Sequence, residues 1–510
     1  MDGSEALSRR ALLLGAAALG TGLAACGRGS RPAARSATTT TVTVPVPAGA
    51  ERSSPNPYLS GNFAPVLKEV DGADLVVQGA IPRELRGHLL RIGPNPIAPE
   101  PSGYHWFLGD GMVHGIELRD GRARAYRNRW VRTDQAVPRL GGTPRPGQPP
   151  DVSPVSSAAN TSVVFHGGRV LTLYEISLPT EVTPTLDTVG RFDFGGRLRS
   201  PMTAHPKLDA QTGELLFFGL DILGPPYLRF HVADPSGTLV RSTDIELPGP
   251  SMMHDFAITE RHVVFLDLPV VYDLTLVGKR PFPATWRPGY GARVGVMPRQ
   301  GDGAVRWFEV EPCYVFHTLN AYDDGDDQVV IDVVRHATMF EHDIYGVGDA
   351  PGTLDRWTVD LARGRVREER LDDRGQELPR IDDRLVGRRH RYGYSNLVPS
   401  QRDGRVTIGG LLQHDLRTGR SVQARLGPGK AASEGVFVPA RDGAGEDEGW
   451  VLSVVYDPAR DGSDLVILDA TDFGGRPVAT VGLPQRVPFG FHGTWVASAA
   501  IPRRYREAGG

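Results

Sequence analysis

Four histidines stand in strand-like segments among apolar or small residues: Thr203-Ala204-His205-Pro206, Met252-Met253-His254-Asp255-Phe256, Val315-Phe316-His317-Thr318-Leu319 and Phe489-Gly490-Phe491-His492-Gly493. His254 opens a run that alternates towards Phe256 and Ile258 like a half-buried strand, and a buried imidazole needs a partner. Taken singly, each reads as a core histidine bonded to backbone. Four neutral imidazoles meeting at one point could instead bind a borderline metal such as iron, zinc or copper. The other histidines have plainer settings. His231, His262, His336, His342, His390 and His414 lie near Arg, Asp or Glu, and His166 precedes a Gly-Gly turn, so surface positions are expected. His105 and His114 flank Gly109-Asp110-Gly111, and a metal role is open to either.

Residues so far apart in the chain can meet only if repeated elements bring them to one place. Short β-branched and aromatic runs alternate with turn signals at Arg119-Asp120-Gly121, Gln211-Thr212-Gly213, Asp302-Gly303, Arg363-Gly364, Arg417-Thr418-Gly419 and Asp461-Gly462, without a long amphipathic helix pattern. From Gly303 the turns come at intervals of 61, 55 and 43 residues, the cadence of four-stranded propeller blades. About seven blades fit between residues 57 and 506. A large β-sandwich or fused barrels would give the same local signals. The histidine intervals of 49, 63 and 175 residues are near one, one and three blade lengths, which predicts all four on innermost strands around a common axis.

The 510 residues are 40% hydrophobic with a formal charge of −3. That suffices for a large core and offers no basic field for nucleic acid. The two cysteines, Cys26 and Cys313, cannot form a disulfide scaffold or a Cys-based metal site. Ser8-Arg9-Arg10 precedes an apolar stretch, Ala11 to Ala25, in the order of an export signal of twin-arginine type. Leu23-Ala24-Ala25-Cys26 resembles a lipoprotein cleavage box, so residues 1–26 read as signal, with Cys26 the lipidated first residue of the mature chain. An ordinary secretory signal is the alternative. The expected location is the outer face of the cytoplasmic membrane, or a periplasmic or extracellular one if Cys26 is not used. Residues 27–56 are rich in Thr, Pro and Ser and read as a disordered tether. Residues 57–510 read as one domain.

Three motifs add a resemblance: Gly61-Asn62-Phe63-Ala64-Pro65-Val66, Arg91-Ile92-Gly93-Pro94-Asn95-Pro96, and the box from Tyr104 to His114. With the four histidine segments they resemble, in order from about residue 57 to 496, the carotenoid cleavage oxygenase family. The resemblance implies an all-β, seven-bladed β-propeller with a non-haem Fe(II) on its axis, one per chain, held by His205, His254, His317 and His492. It implies that Glu175, Glu377 and Glu434 orient the ligand rings, as carboxylates do for metal-bound imidazoles. Zinc would fit four imidazoles but has no redox chemistry with dioxygen. The box of His105 and His114 becomes structural, with Asp110 and its glycines shaping a turn, and Leu108 stands where the family more often has Asp. Pro269 to Trp286 corresponds to an apolar, loop-built cover over the metal, although it also reads as a loop that packs on the propeller face.

The implied reaction is oxidative cleavage of one carbon–carbon double bond by O2, giving two carbonyl products. The partners would be a conjugated apolar substrate, O2 and a membrane surface reached through a lipid anchor. Stilbene-cleaving members use a tyrosine and a lysine before the first of these glutamates. Residues 127–173 contain neither, which favours carotenoids or apocarotenoids over lignostilbenes. A propeller hydrolase would call for carboxylate ligands, and a non-catalytic carotenoid-binding lipoprotein would not need every histidine segment.

Overall fold

Runs such as Leu215–Leu220, apolar on both faces, can be satisfied only between two sheets, whereas runs such as Arg365–Asp372, which alternate, belong at an edge. Both kinds recur along the chain, and the result is seven antiparallel sheets of four or more strands, the blades of a β-propeller. The computed structural model describes residues 56–502 apart from 153–156, 302, 344–350, 400–405 and 407, and also the backbone of Val42–Thr43. The expected signal, with Cys26, lies outside the described residues. Within the expected tether, Val42–Thr43 pairs with Lys68–Glu69.

Blade 1 holds Asp71–Ala73, Gly87–Pro94, Gly111–Arg119 and Arg122–Trp130, with Gly493–Ala497 as its innermost strand. Blades 2 to 6 follow in sequence, with first strands Ser162–His166, Lys207–Leu208, Ala257–Ile258, Tyr314–Asp323 and Gln376–Arg380. Blade 7 begins at Ala431–Ala432, and Val77–Gly79 pairs along Ala479–Gly482 at its outer edge. The ring is thus closed from both ends of the chain, which removes the two free edges a linear array would leave. At the seam, Gly93 and Gly490 touch backbone to backbone. A Cβ at Gly93 would lie 2.5 Å from the Gly490 Cα, so no larger residue fits there.

Between blades the core is aromatic. Phe218 meets Phe256 edge-on at 5.4 Å between ring centres, and Phe230 meets Phe265 at 6.0 Å. Among the described residues, helix is reduced to Ala136–Arg139 and a few 3-10 turns, and no described helix is long and apolar enough to cross a membrane.

Five histidines expected at the surface are buried: His166, His231, His336, His390 and His414. His231 sits between the Ser200 and Ser242 hydroxyls, and His414 between those of Ser395 and Ser421. Charged neighbours misled because successive strand residues face opposite ways: Arg335 and Asp415 are half-buried while His336 and His414 point inward. His262 is half-buried, opening strand His262–Asp267, with Nδ1 2.8 Å from Asp323. His342 is exposed as expected.

Candidate metal centre

Each blade delivers one residue to the axis. Blades 1, 3, 4 and 5 supply His492, His205, His254 and His317, while blades 2, 6 and 7 supply Glu175, Glu377 and Glu434. The intervals of one, one and three blades follow from that order. Only His317 lies within an inner strand; the other three histidines stand just ahead of one. This corrects the expectation that all four would be strand residues. A loop position leaves the ring free to turn across the axis, whereas strand residues must alternate between the faces of their blade. His317 turns by a bulge, since its pairing register shifts between Val315 and Thr318. Tyr314 Oη donates to the Met252 carbonyl at 2.9 Å, and Asp255 accepts the Thr318 N–H and hydroxyl at 2.8 Å, locking the His254 and His317 segments together.

The four ligand nitrogens all lie within 4.8 Å of one another, and His205 Nε2 is 2.9 Å from His254 Nε2. Three rings are fixed from behind. His254 Nδ1 donates to Glu175, His317 Nδ1 to Glu377 at 2.5 Å, and His492 Nδ1 to Glu434 at 2.8 Å. With Nδ1 carrying the proton, Nε2 of each presents a lone pair to the centre. Burial, then the neighbouring imidazoles, holds His205 well below the ordinary histidine pKa, and burial also lowers His492. Both rings are therefore neutral.

The second carboxylate oxygens are used differently. Glu175 accepts from Tyr272 Oη, Glu377 from His336 Nε2 at 2.8 Å, and Glu434 from the Gly493 N–H at 2.8 Å and Arg380 at 3.0 Å. Burial alone would push the Glu377 and Glu434 carboxyls up. For Glu377 the His317 and His336 imidazoles outweigh it; for Glu434, Arg380 and then His492 hold the carboxyl down at about 2. Tyr272 and Arg380 were not singled out from sequence, and His336 was expected at the surface. Tyr272 lay unremarked in the Pro269–Trp286 segment, and only spatial proximity marks His336 and Arg380.

A divalent metal fits this donor set on two grounds. His317 Nε2 is buried and finds no hydrogen-bond partner among the described residues, which costs free energy unless a Lewis acid takes its lone pair. Among the described residues, Arg380 is the only permanent cation bonded to the three buried carboxylates, so two negative charges await compensation.

Above the rings lies an apolar cavity of about 90 Å3, lined by Trp106, Phe107, Tyr272, Phe282, Phe316 and Phe491 among others. Within the segment 269–286, Val270–Tyr272 and Ala284–Trp286 form a separate hairpin that brings Tyr272 and Phe282 over the site. His105 and His114 are outside the cluster. His105 Nδ1 caps a 3-10 turn by accepting the Phe107 N–H, and His114 bonds Tyr126 Oη at 2.8 Å. Asp110 accepts from the Ile97 N–H and Arg139, fixing the turn between the two. Glu446 and Glu448, the alternatives to Glu434 that the sequence offers nearby, lie elsewhere, bonded to the Tyr392 N–H and Arg441.

One axial residue per blade beneath an aromatic cavity defines a propeller enzyme with a central, histidine-built site. A family model described as retinal pigment epithelial membrane protein matches residues 63–497. A carotenoid cleavage oxygenase of Mycobacterium tuberculosis is 42% identical over 496 residues, spanning 87% of this chain and 98% of that protein. Among solved structures, a lignostilbene dioxygenase of Pseudomonas brassicacearum superposes with TM-score 0.78 at 30% identity, covering 89% of this chain and 100% of its own. Cobalt-substituted Synechocystis ACO, an apocarotenoid oxygenase, superposes with TM-score 0.73 at 28% identity, covering 84% and 96%. The chain belongs to the carotenoid cleavage oxygenase family and is an oxidoreductase of the dioxygenase type.

Proposed function

We propose that this protein is a non-haem Fe(II)-dependent dioxygenase that cleaves one carbon–carbon double bond of a carotenoid or apocarotenoid, combining the alkene with O2 to give two carbonyl products. The observation that carries the reading is the convergence of His205, His254, His317 and His492 with their nitrogens directed at one point under an apolar cavity. Those four residues would hold the iron, which supplies, when bound, the redox chemistry with dioxygen that none of the side chains offers. Glu175, Glu377 and Glu434 keep the protons on the outer imidazole nitrogens and fix the ring planes. The aromatic lining excludes water and holds a flat, conjugated segment by its faces. At about 90 Å3, against ~300 Å3 or more for typical small-molecule pockets, the cavity must widen for a long polyene to thread past Phe107, Phe282 and Phe316.

No lysine lines the cavity among the described residues, which favours a hydrocarbon chain over a phenol. One observation favours a lignostilbene instead: Tyr174, one residue beyond the stretch that lacks tyrosine, does line it. We also infer export and lipid anchoring through Cys26, on the N-terminal motif. Leu274 and Val277, each 45% exposed on the cover beside Lys279 and Arg280, suit contact with a membrane that dissolves the substrate. The test is metal analysis of anaerobically purified protein, followed by incubation with apocarotenoids and stilbenes under oxygen and identification of the aldehydes by mass. Iron near one per chain and aldehydes from a polyene are expected. Calcium or no metal, or cleavage of stilbenes alone, overturns the reading.

A further inference from the structure

The histidines separate two cavities of different character, one apolar and one whose wall is nearly half polar. The apolar one is lined by His254, His317 and His492; a polar one of about 190 Å3 is lined by His205, His317 and His492. The polar volume is far above the ~10–15 Å3 that admits a water molecule, and Lys207, Asp255, Thr318, Arg380, Asp383 and Glu434 stand on its wall. Lys207 Nζ bonds Asp255 at 2.7 Å, and Arg380 bonds both Glu434 and Asp383 at 3.0 Å. Three carboxylates thus face two cations, leaving one net negative charge. The cavity reaches solvent where the Asp383 side chain is 58% exposed and Leu208 is 41% exposed.

We propose that this polar cavity is the passage through which a hydrated divalent metal ion enters and leaves the centre. The inference rests on the reading that the four imidazoles hold such a metal. A hydrated cation cannot cross the aromatic cavity without losing its water to a wall that offers little in exchange, whereas the second cavity is wide enough to keep water and presents the oxygens of Asp255, Thr318, Asp383 and Glu434 along its wall. The excess negative charge draws a cation in, and pairing of the carboxylates with Lys207 and Arg380 keeps it from being held on the way. At the inner end, His205 lines the polar cavity and not the apolar one, while His317, whose Nε2 has no hydrogen-bond partner among the described residues, lines both. Substrate and metal would then approach the same point from opposite faces.

The experiment follows Co2+ uptake by chelator-stripped, folded protein through the visible absorption of the bound ion, and its release into excess chelator. Val386→Trp and Thr494→Trp narrow the polar cavity at half-exposed wall positions; Ile408→Trp narrows the apolar one. A passage is not a ligand, so blocking it must slow uptake and release by the same factor, about tenfold or more, with affinity and stoichiometry unchanged. Ile408→Trp should leave both rates as they are. Asp383→Asn should slow uptake at low salt, and the difference should vanish at high salt. Unchanged rates in both narrowed variants, slowing by Ile408→Trp alone, or Co2+ uptake only during refolding each overturn the passage while the metal reading stands. Failure of every form to bind Co2+ overturns the metal reading and this one with it.

Discussion

Glu377 accepts hydrogen bonds from two imidazoles at once, His317 Nδ1 at 2.5 Å and His336 Nε2 at 2.8 Å. One carboxylate therefore ties a ring at the centre to a ring of the cavity wall, since His336 also lines the apolar cavity. Glu377→Gln should lower Co2+ or Fe2+ affinity about 10–100-fold, the usual cost of removing a carboxylate behind a ligand histidine. His336→Leu should cost less, because the His317 bond survives. Chelator competition measures both, and equal affinity in wild type and Glu377→Gln would refute the orienting role.

Tyr272 performs the corresponding task for Glu175 from the cover hairpin. Tyr272→Phe keeps the ring in the cavity wall and removes one hydrogen bond to a charged group, worth ~1.5–3 kcal/mol. The expected result is weaker metal binding with KM little changed; a large rise in KM at constant kcat would assign Tyr272 to substrate contact instead.

Acid should undo the centre through Glu434. Its folded pKa of about 2 lies below the ordinary 4.5, so the stabilisation is fully present above pH 4.5 and is lost as pH falls towards 2. The full effect is about 3 kcal/mol. Arg380→Met removes the principal cause of the depression, so the loss should begin at higher pH, with ~3–5 kcal/mol of stability forfeited at neutrality. Denaturant titrations from pH 2 to 7 test this, and superimposable profiles would contradict it.

Stripping the metal should destabilise the propeller, because the ligands come from four blades and only the folded ring presents them together. Binding at a thousandfold excess over Kd adds about 4 kcal/mol. Calorimetry with and without Co2+ should show the melting temperature rising with metal concentration in wild type and not in His317→Ala.

Gly93→Ala places a methyl group 2.5 Å from the Gly490 Cα, two residues before His492. It should destabilise the closure by ~1–3 kcal/mol through overpacking and weaken metal binding by moving His492. Gly419→Ala, at a turn with open space around it, is the control and should cost stability without changing metal affinity.

Much of this was legible along the chain. Gly303, Gly364 and Gly419 all mark the turn between the last two strands of a blade, so their spacing carried the blade length, and Gly121 marks the turn between Gly111–Arg119 and Arg122–Trp130 in blade 1. Gly462 marks an earlier turn of its blade, between Gly449–Asp457 and Gly462–Asp469, which is why the last interval was short. The histidine spacing counted blades correctly, although three of the four proved to be loop residues. The family resemblance, not any local pattern, pointed to Glu175, Glu377 and Glu434, because a lone glutamate in a sequence looks like a surface residue.

The sequence by itself determined the repeating unit, the apolar runs that fill the space between blades and the four histidines set in strand-like segments among apolar or small residues, since all of these are local properties of neighbouring residues. Only the tertiary structure decided that Arg380 neutralises Glu434, that His336 and Tyr272 hold the other two carboxylates, and that one cavity at the centre is apolar and the other polar. Those relations join neighbouring blades or tie the cover hairpin to a blade, and a hydrogen bond between residues dozens of positions apart leaves no periodicity for the chain to display.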